Sequence, residues 1–381
     1  FTCNALDAGL DYSGAKVLLR TANWFSIMRT VTSSSSKTLT VDYAPAGIIN
    51  VNEGFILMNK LEFLDSPSEW FYDTGTKTVY LWTPNGDSPS SYEVRGSLID
   101  DGFYLSMKNY INIQDIHIIQ QKHSGIKMHR GGSKYITIEG NTISGQEGAG
   151  IYDQTTTSQN LLIHNNTILD CNGFGIYAYI SNSVVRDNSI SNIGDLETLG
   201  LNGTLNDDGG TGIEISGNDN TIEYNRVFET NWNGIFWRGN SVIQNNFIKD
   251  VCLYKSDGGG IYTGGTTTAG SIVRYNIIDN VVGNKEGWIN DRNMANGIFL
   301  DEPSKDITVE QNTVIRCSNS GIFIHEAEHH IIKHNTFFDA RQSFSSNKYS
   351  GTIKSEVTNN IFVTNKDYDD YLPRQLVINY F

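Results

Sequence analysis

Two aspartates, Asp257 and Asp301, lie in sequence surroundings suited to acid–base chemistry. Asp257 opens the stretch Asp-Gly-Gly-Gly-Ile-Tyr-Thr, and Asp301 closes the stretch Gly-Ile-Phe-Leu-Asp. Enzymes that cleave glycosidic bonds hold two carboxyl groups about 5–5.5 Å apart for retention, or about 6.5–9.5 Å apart for inversion. One carboxyl group stays protonated near neutral pH while the other stays ionised. The sequence predicts that Asp257 and Asp301 form such a pair, without deciding which one is the acid.

Further polar residues near the same two stretches are candidates for supporting roles. Glu302 follows Asp301 directly and is a candidate catalytic carboxylate, while Glu214 or Asp208 could supply a third one. Arg238 is a candidate to hold an ionised acid or a substrate hydroxyl, and His325 a candidate donor that orients Asp301. A purely structural role is the alternative, because Asp-Gly makes turns and Asp before Glu-Pro can close a corner.

Both aspartates lie within a repeat that extends from about residue 109 to residue 362. Its first half has the form Asn-x-(Ile/Val/Phe), beginning at Asn141, Asn166, Asn188, Asn225, Asn246, Asn276, Asn312, Asn335 and Asn360. Its second half is a Gly-Ile pair, at Gly125, Gly150, Gly175, Gly212, Gly234, Gly260, Gly297 and Gly321. Short apolar strands with Gly and Asn corners, repeated every 20 to 50 residues, indicate a solenoid.

The spacing of the repeat defines the kind of solenoid. Successive asparagines are 25, 22, 37, 21, 30, 36, 23 and 25 residues apart. The short spacings fit a coil of three strands and three turns, and the near absence of helical patterning excludes helical repeats. The predicted fold is an all-β parallel β-helix of about nine to ten coils, with the asparagines stacked in a hydrogen-bonded ladder at one corner.

The Gly-Ile strands also predict which side chains face outward. If each isoleucine points inward, the next and third residues point out, since side chains alternate along a strand. This places aromatic rings on the outer face, and as candidate sugar-binding residues we single out Tyr177, Tyr179, Phe236, Tyr262 and Phe299. The three longest coils carry their extra residues beside this face, which is where binding sites of repeat proteins are often built.

The chain divides into three parts. Residues 1–96 are β-rich without a repeat and are predicted to cap or flank one end of the solenoid, residues 97–362 form the β-helix, and residues 363–381 form a terminal cap or tail. A net charge of −14 argues against nucleic acid or an anionic membrane as partner, and no apolar run is long enough to span a bilayer. We expect a secreted or periplasmic monomer, without a disulfide framework, whose leader either has been removed or is not included in this sequence.

The motifs resemble a known group. The repeat is similar to the right-handed parallel β-helix of secreted carbohydrate-active enzymes, and the two aspartate stretches resemble those of β-helix glycoside hydrolases of the xylosidase and α-fucosidase/xylanase kind. The phrases LDSPSEWFYD at 64–73 and VYLWTP at 79–84 also resemble segments that precede the coils in this group. The resemblance implies an acid at each of the two positions. We expect a plant or algal polysaccharide or oligosaccharide as partner, and no cofactor, with Ca²⁺ as the alternative.

The sequence leaves two other functions open. A polysaccharide lyase would need a base, for which Lys127, His129 or Arg130 are candidates, and a cation such as Ca²⁺, which Asp207 and Asp208 could hold. A non-catalytic glycan-binding β-helix would bind without cleavage.

Overall fold

The computed structural model describes residues 1–43, 53–194, 209–264, 268–286, 293–347, 354–364 and, by backbone alone, 376–378. Within these ranges the chain forms β-strands and two short 3-10 helices, Leu61–Phe63 and Pro89–Ser91. Neither of these described helices is long and apolar enough to cross a membrane.

The N-terminal part contains a small antiparallel sheet with its own core. Its strands lie in the spatial order Thr38–Val41, Phe25–Ser35, Lys16–Ala22 and Phe55–Met58. A separate hairpin pairs Trp70–Asp73 with Thr78–Leu81. Val17, Leu19 and Ile27 are buried in a cluster distinct from the solenoid core. Alternating apolar residues therefore bury one face of this sheet.

From Asp101 the chain winds through coils that contribute strands to three parallel faces. The Gly-Ile face consists of Asp101–Leu105, Ser124–Met128, Ala149–Gln159, Phe174–Ser181, Thr211–Ser216, Ile235–Arg238, Gly258–Thr263 and Ala295–Leu300. The Asn-x-Ile face consists of His117–Ile119, Thr142–Ser144, Thr167–Cys171, Ser189–Ile193, Arg226–Thr230, Phe247–Val251, Ile277–Val281 and Ile361–Thr364. The long strands Thr313–His325 and Thr336–Asn347 turn a corner and contribute to both faces.

The third face consists of Asn112–Gln114, Thr137–Glu139, Leu162–His164, Val184–Arg186, Asn220–Glu223, Ser241–Gln244, Ile272–Arg274, Thr308–Glu310, Ile331–Lys333 and Glu356–Thr358. These ten strands form one parallel sheet, so the described part of the solenoid has ten coils. The prediction of an all-β parallel β-helix of about nine to ten coils is confirmed. A last strand, Leu376–Ile378, pairs antiparallel with Ile361–Thr364.

The repeated glycine marks a close approach between coils. A Cβ atom built on Gly150 would lie 2.4 Å from Cγ2 of Ile168 and 2.7 Å from the carbonyl oxygen of Gly175. The isoleucines that come next, such as Ile151 and Ile176, are fully buried. Glycine therefore lets the chain turn into the Gly-Ile face while the next residue fills the core.

The repeated asparagine forms the predicted ladder. From Asn141 to Asn335, the backbone N–H and Nδ2 of each ladder residue donate to Oδ1 of the next at 2.9–3.1 Å. All ladder side chains through Asn360 are buried, with at most 1% exposed. The ladder thus satisfies polar groups inside the corner that borders the Asn-x-Ile face.

The described contacts of the N-terminal sheet with the solenoid are at its middle coils. The guanidinium of Arg20 donates to the carbonyl oxygens of Asn284 and Glu286, and the N–H of Ser256 donates to the carbonyl oxygen of Asn23 at 2.8 Å. This differs from the sequence expectation of a region at one end of the solenoid. The boundaries at residues 96 and 362 stay predictions.

Three of the four cysteines fill the core. Cys171, Cys252 and Cys317 are buried free thiols, and Cys3 is a half-buried one. Burial raises the pKa of Cys171 to about 12, so this thiol stays protonated and packs as a small apolar group.

Candidate functional site

The inside–outside pattern of the Gly-Ile face agrees with the sequence prediction. The second residues after each isoleucine are all at most 1% exposed: Met128, Asp153, Ala178, Ile215, Trp237, Thr263, Leu300 and Ile324. The alternate residues form one registered column on the outside, in which Glu214 pairs with Phe236, Phe236 with Tyr262, and Tyr262 with Phe299. The candidate site is built on this column.

The chain bends sharply at the glycines that follow Asp257. Gly259 is in register with Asn296, yet a Cβ atom on Gly259 would lie only 3.4 Å from Cβ of Phe299, three residues further along. An extended strand would separate such positions by about 10 Å. The chain before Gly260 therefore folds over the outer surface of the Gly-Ile face, and Asp257 lies on the part that folds over.

This bend explains how two aspartates at opposite strand ends interact. Asp257 precedes Gly258, which pairs with Ala295, whereas Asp301 comes after Leu300, which pairs with Thr263. In straight strands this offset would exceed about 20 Å. The sequence predicts the pair but not the bend at the glycines, which returns Asp257 towards Asp301.

Asp257 has an environment that favours its neutral form. Burial, with the negative charge of Asp301 as a second cause, raises the pKa of Asp257 to about 7, against a weaker opposing effect of His325. Among the described residues none donates a hydrogen bond to this carboxyl group. Near neutral pH a substantial fraction of Asp257 is protonated and able to give a proton.

Asp301 has the opposite environment, with three hydrogen-bond donors around its carboxylate. The Tyr262 hydroxyl donates to Oδ2 at 2.9 Å, and the Glu302 N–H donates to Oδ1 at 2.9 Å. Nδ1 of His325 lies 2.7 Å from Oδ1 and donates when it carries a proton. Burial and the Asp301 charge raise the pKa of Tyr262 well above its ordinary value, so the phenol remains a donor. These contacts stabilise a negative charge on Asp301.

The aromatic rings around the pair are mostly covered. Phe236 is 3% and Phe299 is 1% exposed, so these two rings do not offer a surface to a sugar, contrary to their predicted role. They pack in a row in which Tyr262 lies 4.6 Å from Phe236 and 5.0 Å from Phe299 between ring centroids. Their role in this structure is to support Tyr262, which carries the contact with Asp301.

A second polar group lies two and three coils before Asp301. Arg238 forms an ion pair with the buried Glu214, and its guanidinium lies 4.0 Å from the centroid of the Phe236 ring. The charge of Glu214 contributes to raising the pKa of Tyr177, mainly a consequence of burial, and the Tyr177 hydroxyl donates to that of Tyr179 at 3.3 Å. Glu214 is thus neutralised by a partner, unlike Asp257, and Tyr177 and Tyr179 stay partly accessible.

The remaining predicted residues add little to the described site. The side chain of Glu302 is exposed, and its described contribution is the N–H that binds Asp301. Asp207 and Asp208 lie outside the described residues. Within the described ranges no group of three His, Cys, Asp or Glu side chains could hold a metal ion. The hypothesis of Ca²⁺ at Asp207 and Asp208 stays a prediction.

Three residues near the pair had no clear signal in the sequence. Trp232 folds over the Gly-Ile face like Asp257, with its ring 6.0 Å from that of Tyr262. Lys255 is 1% exposed, and its ammonium donates to the carbonyl oxygen of Gly209 at 2.9 Å. Asn23 comes from the N-terminal sheet, more than 200 residues away in sequence. Of the three, only Trp232 has a sequence feature that could indicate the site, because it is an aromatic residue three positions before Ile235.

Comparison with solved structures places several carbohydrate-active enzymes near this fold. An alginate lyase from Paenibacillus sp. str. FPU-7 is 14% identical over 67% of this chain and 91% of its own, with a TM-score of 0.39. A GH136 lacto-N-biosidase from Eubacterium ramulus is 13% identical over 69% of this chain and 50% of its own, with a TM-score of 0.47. A DFA-IIIase from Arthrobacter chlorophenolicus A6 is 12% identical over 68% of this chain and 65% of its own, with a TM-score of 0.44.

The likeness to these structures concerns the fold alone, and this chain spans only half the length of the lacto-N-biosidase. No curated protein sequence matches the chain. The family model described as "Right handed beta helix region" matches residues 90–211 and 211–372, which together make up most of the chain. The chain therefore belongs to the right-handed β-helix family.

Proposed function

We propose that this protein is a glycoside hydrolase in which Asp257 is the general acid and Asp301 the ionised partner. The observation that carries the proposal is the contrast between two interacting carboxyl groups. Asp257 has a pKa of about 7 and no described donor, whereas three donors surround Asp301. Paired carboxyl groups with divergent environments are the arrangement that glycosidic cleavage requires.

These two environments define the chemistry. Protonated Asp257 gives its proton to the glycosidic oxygen as the bond to the anomeric carbon breaks. Ionised Asp301 either deprotonates an incoming water molecule or attacks the anomeric carbon itself, depending on the carboxyl separation around the bound sugar. Tyr262 and His325 hold Asp301 in one orientation, and Phe299 packs beneath Tyr262.

The substrate we propose is a plant or algal polysaccharide or an oligosaccharide released from one. The half-buried rings of Tyr177 and Tyr179 offer apolar surface beside hydroxyl groups, which suits sugar rings. Arg238, at 29% side-chain exposure, is available to a sugar hydroxyl from its ion pair with Glu214. A polymeric substrate would place the protein outside the cell or in a periplasm, as part of the same proposal.

The test is a screen of plant and algal polysaccharides with product mass and linkage analysis. The variants are Asp257→Asn and Asp301→Asn, with Asp115→Asn, an exposed corner residue of the first coil, as the matched control. We expect hydrolysis products from the wild type and the control, and loss of about 10²–10⁴-fold in rate when the acid is replaced. Full activity in both site variants would refute the proposal.

The same screen separates the other functions. Products that absorb ultraviolet light through an unsaturated uronate would identify a lyase and contradict hydrolysis. The raised pKa of Tyr262 opposes the use of this phenol as the base of such a lyase. Glycan binding without any product would indicate a non-catalytic protein.

A further inference from the structure

The tip of the first hairpin of the N-terminal sheet touches the chain immediately before Asp257. Strands Lys16–Ala22 and Phe25–Ser35 are joined by Asn23 and Trp24. Asn23 is 4% exposed, and its carbonyl oxygen accepts the N–H of Ser256 at 2.8 Å. The residue directly after Ser256 is the candidate acid.

The same tip joins three segments of two neighbouring coils. Arg20 donates to the carbonyl oxygens of Asn284 and Glu286, and also to that of Asn23 at 3.1 Å. Nδ2 of Asn23 lies 3.5 Å from Sδ of Met294. Arg20 and Asn23 thus connect the hairpin to the segments that lead into both strands of the candidate pair.

The coil segments are also tied to one another at this point. The N–H of Met294 donates to Oγ of Ser256 at 2.7 Å, and Nδ2 of Asn284 donates to the carbonyl oxygen of Leu253 at 3.2 Å. Ser256 is 1% exposed. Its position is therefore fixed by hydrogen bonds from two directions, one of which comes from the N-terminal sheet.

Asp257 is the residue between Ser256 and the strand Gly258–Thr263, so the contacts of Ser256 restrain it on one side. On the other side, Gly258 and Gly259 pair with Ala295 and Asn296, so the neighbouring coil restrains the chain after Asp257. Asp257 itself has a left-handed backbone with φ of 53°. A carboxyl group that must meet one atom of a substrate loses rate when it is misplaced by even about 1 Å.

We propose that the N-terminal hairpin is part of the candidate site, with Arg20 and Asn23 as positioning residues that hold Ser256 and thereby orient Asp257. The proposal rests on the proposed role of Asp257, and it gives the N-terminal sheet a function other than covering an end of the solenoid. The Arg20 side chain acts through backbone carbonyl groups, and neither residue needs to contact the sugar.

The test uses the full chain with Arg20→Ala, Arg20→Lys and the control Lys16→Ala. Lys16 is on the same strand and donates to Oγ1 of Thr30 within the N-terminal sheet. Hydrogen–deuterium exchange across residues 253–261 is measured with kcat, KM and the pH profile of kcat, and circular dichroism establishes that each variant is folded.

We expect Arg20→Ala to speed exchange in this segment and to lower kcat by roughly ten- to a hundredfold with KM little changed. The alkaline limb of the kcat pH profile of this variant should shift to lower pH, because a less buried Asp257 loses its proton more easily. Arg20→Lys should have a kcat between those of Arg20→Ala and the wild type, since an ammonium group can replace only part of the hydrogen bonding of the forked guanidinium. Lys16→Ala should match the wild type.

Unchanged exchange in folded Arg20→Ala would overturn the proposal, and so would faster exchange with wild-type kcat and pH profile. A wild type without hydrolase activity would refute the proposed function instead. In that case the exchange measurement still decides whether the hairpin holds the segment before Asp257.

Discussion

Asp257 and Asp301 flank opposite ends of neighbouring strands, yet the raised pKa of Asp257, caused mainly by burial, includes a contribution from the charge of Asp301. The glycines at 258–260 make this possible, because they let the chain fold back over the Gly-Ile face. The two carboxyl groups therefore interact electrostatically, and the protonation of the pair can be tested.

The pH dependence of hydrolysis should show Asp257 as an acid. Its pKa is raised to about 7, so the protonated form is present below that pH and is lost as pH rises through it. We expect kcat to fall on the alkaline side with a midpoint near pH 7. Rates constant from pH 6 to pH 9 would exclude Asp257 as the proton donor.

Removing one donor from Asp301 should lower the rate while the fold is kept. Tyr262→Phe deletes the hydroxyl that binds Oδ2 but retains the packed ring. Because a hydrogen bond to a charged group contributes about 1.5–3 kcal/mol, kcat should fall roughly ten- to a hundredfold. Tyr275→Phe, at an exposed corner, is the control for loss of a phenol. Equal kcat in the two variants would argue against a role for this contact.

A methyl group at the bend should reduce activity more than stability. In Gly259→Ala the new Cβ atom would lie 3.0 Å from the carbonyl oxygen of Asn296 and 3.4 Å from Cβ of Phe299. Shifts of a few tenths of an ångström can relieve these contacts, and they would displace Asp257. We expect a drop in kcat of about tenfold and a loss of about 1 kcal/mol in unfolding free energy, measured in urea. A wild-type kcat would show that the bend tolerates a side chain.

Breaking the asparagine ladder should cost stability without changing the site chemistry. Asn276→Ala removes the side chain that donates to Ile243 and Asn312 and leaves the N–H of Asn246 without its acceptor. Buried polar groups without partners cost about 1–3 kcal/mol each, so we expect a loss of about 2–4 kcal/mol. Asn112→Ala, on the exposed surface of the third face, should change unfolding by less than about 0.5 kcal/mol. Similar losses in both variants would contradict a special role for the ladder.

Asp153 should make the protein less stable as pH rises. Burial raises the pKa of this core carboxyl above its ordinary value, and Oδ2 has no described partner. A raised folded-state pKa means that stability is highest while Asp153 is protonated and declines as pH rises above its ordinary value of 3.8. Asp153→Asn should therefore be more stable than wild type at pH 7, with a smaller difference at pH 4. Urea unfolding at both pH values tests this, and a pH-independent difference would refute it.

The fold was predictable because its determinants are local and repeated. The ladder asparagines that begin at Asn141 recur from coil to coil, and so does the glycine before each isoleucine. The coil period and the buried positions of the strands can therefore be derived from sequence alone. Strand alternation likewise predicts that Asp153 points inward, although a charged side chain would ordinarily favour the surface.

The candidate site was predictable only in part because its contacts depend on bends and on distant segments. Strand alternation places Phe236 and Phe299 outside, but it contains no information on the chain that folds over them. The link between Asn23 and Ser256 joins segments over 200 residues apart, with no motif in common. Asp301 and His325 were foreseeable as near neighbours because they lie on adjacent strands of the same face.

The ladder has a consequence for how loops can change. Asn188 and Asn225 are 37 residues apart, whereas Asn225 and Asn246 are 21 apart, and both pairs make the same two hydrogen bonds. The stacking of neighbouring coils at the ladder is therefore independent of the number of residues between ladder positions. Loops beside the two aspartates can lengthen, shorten or be exchanged while the strands that carry the acids keep their register, so new substrate preferences are accessible without rebuilding the scaffold.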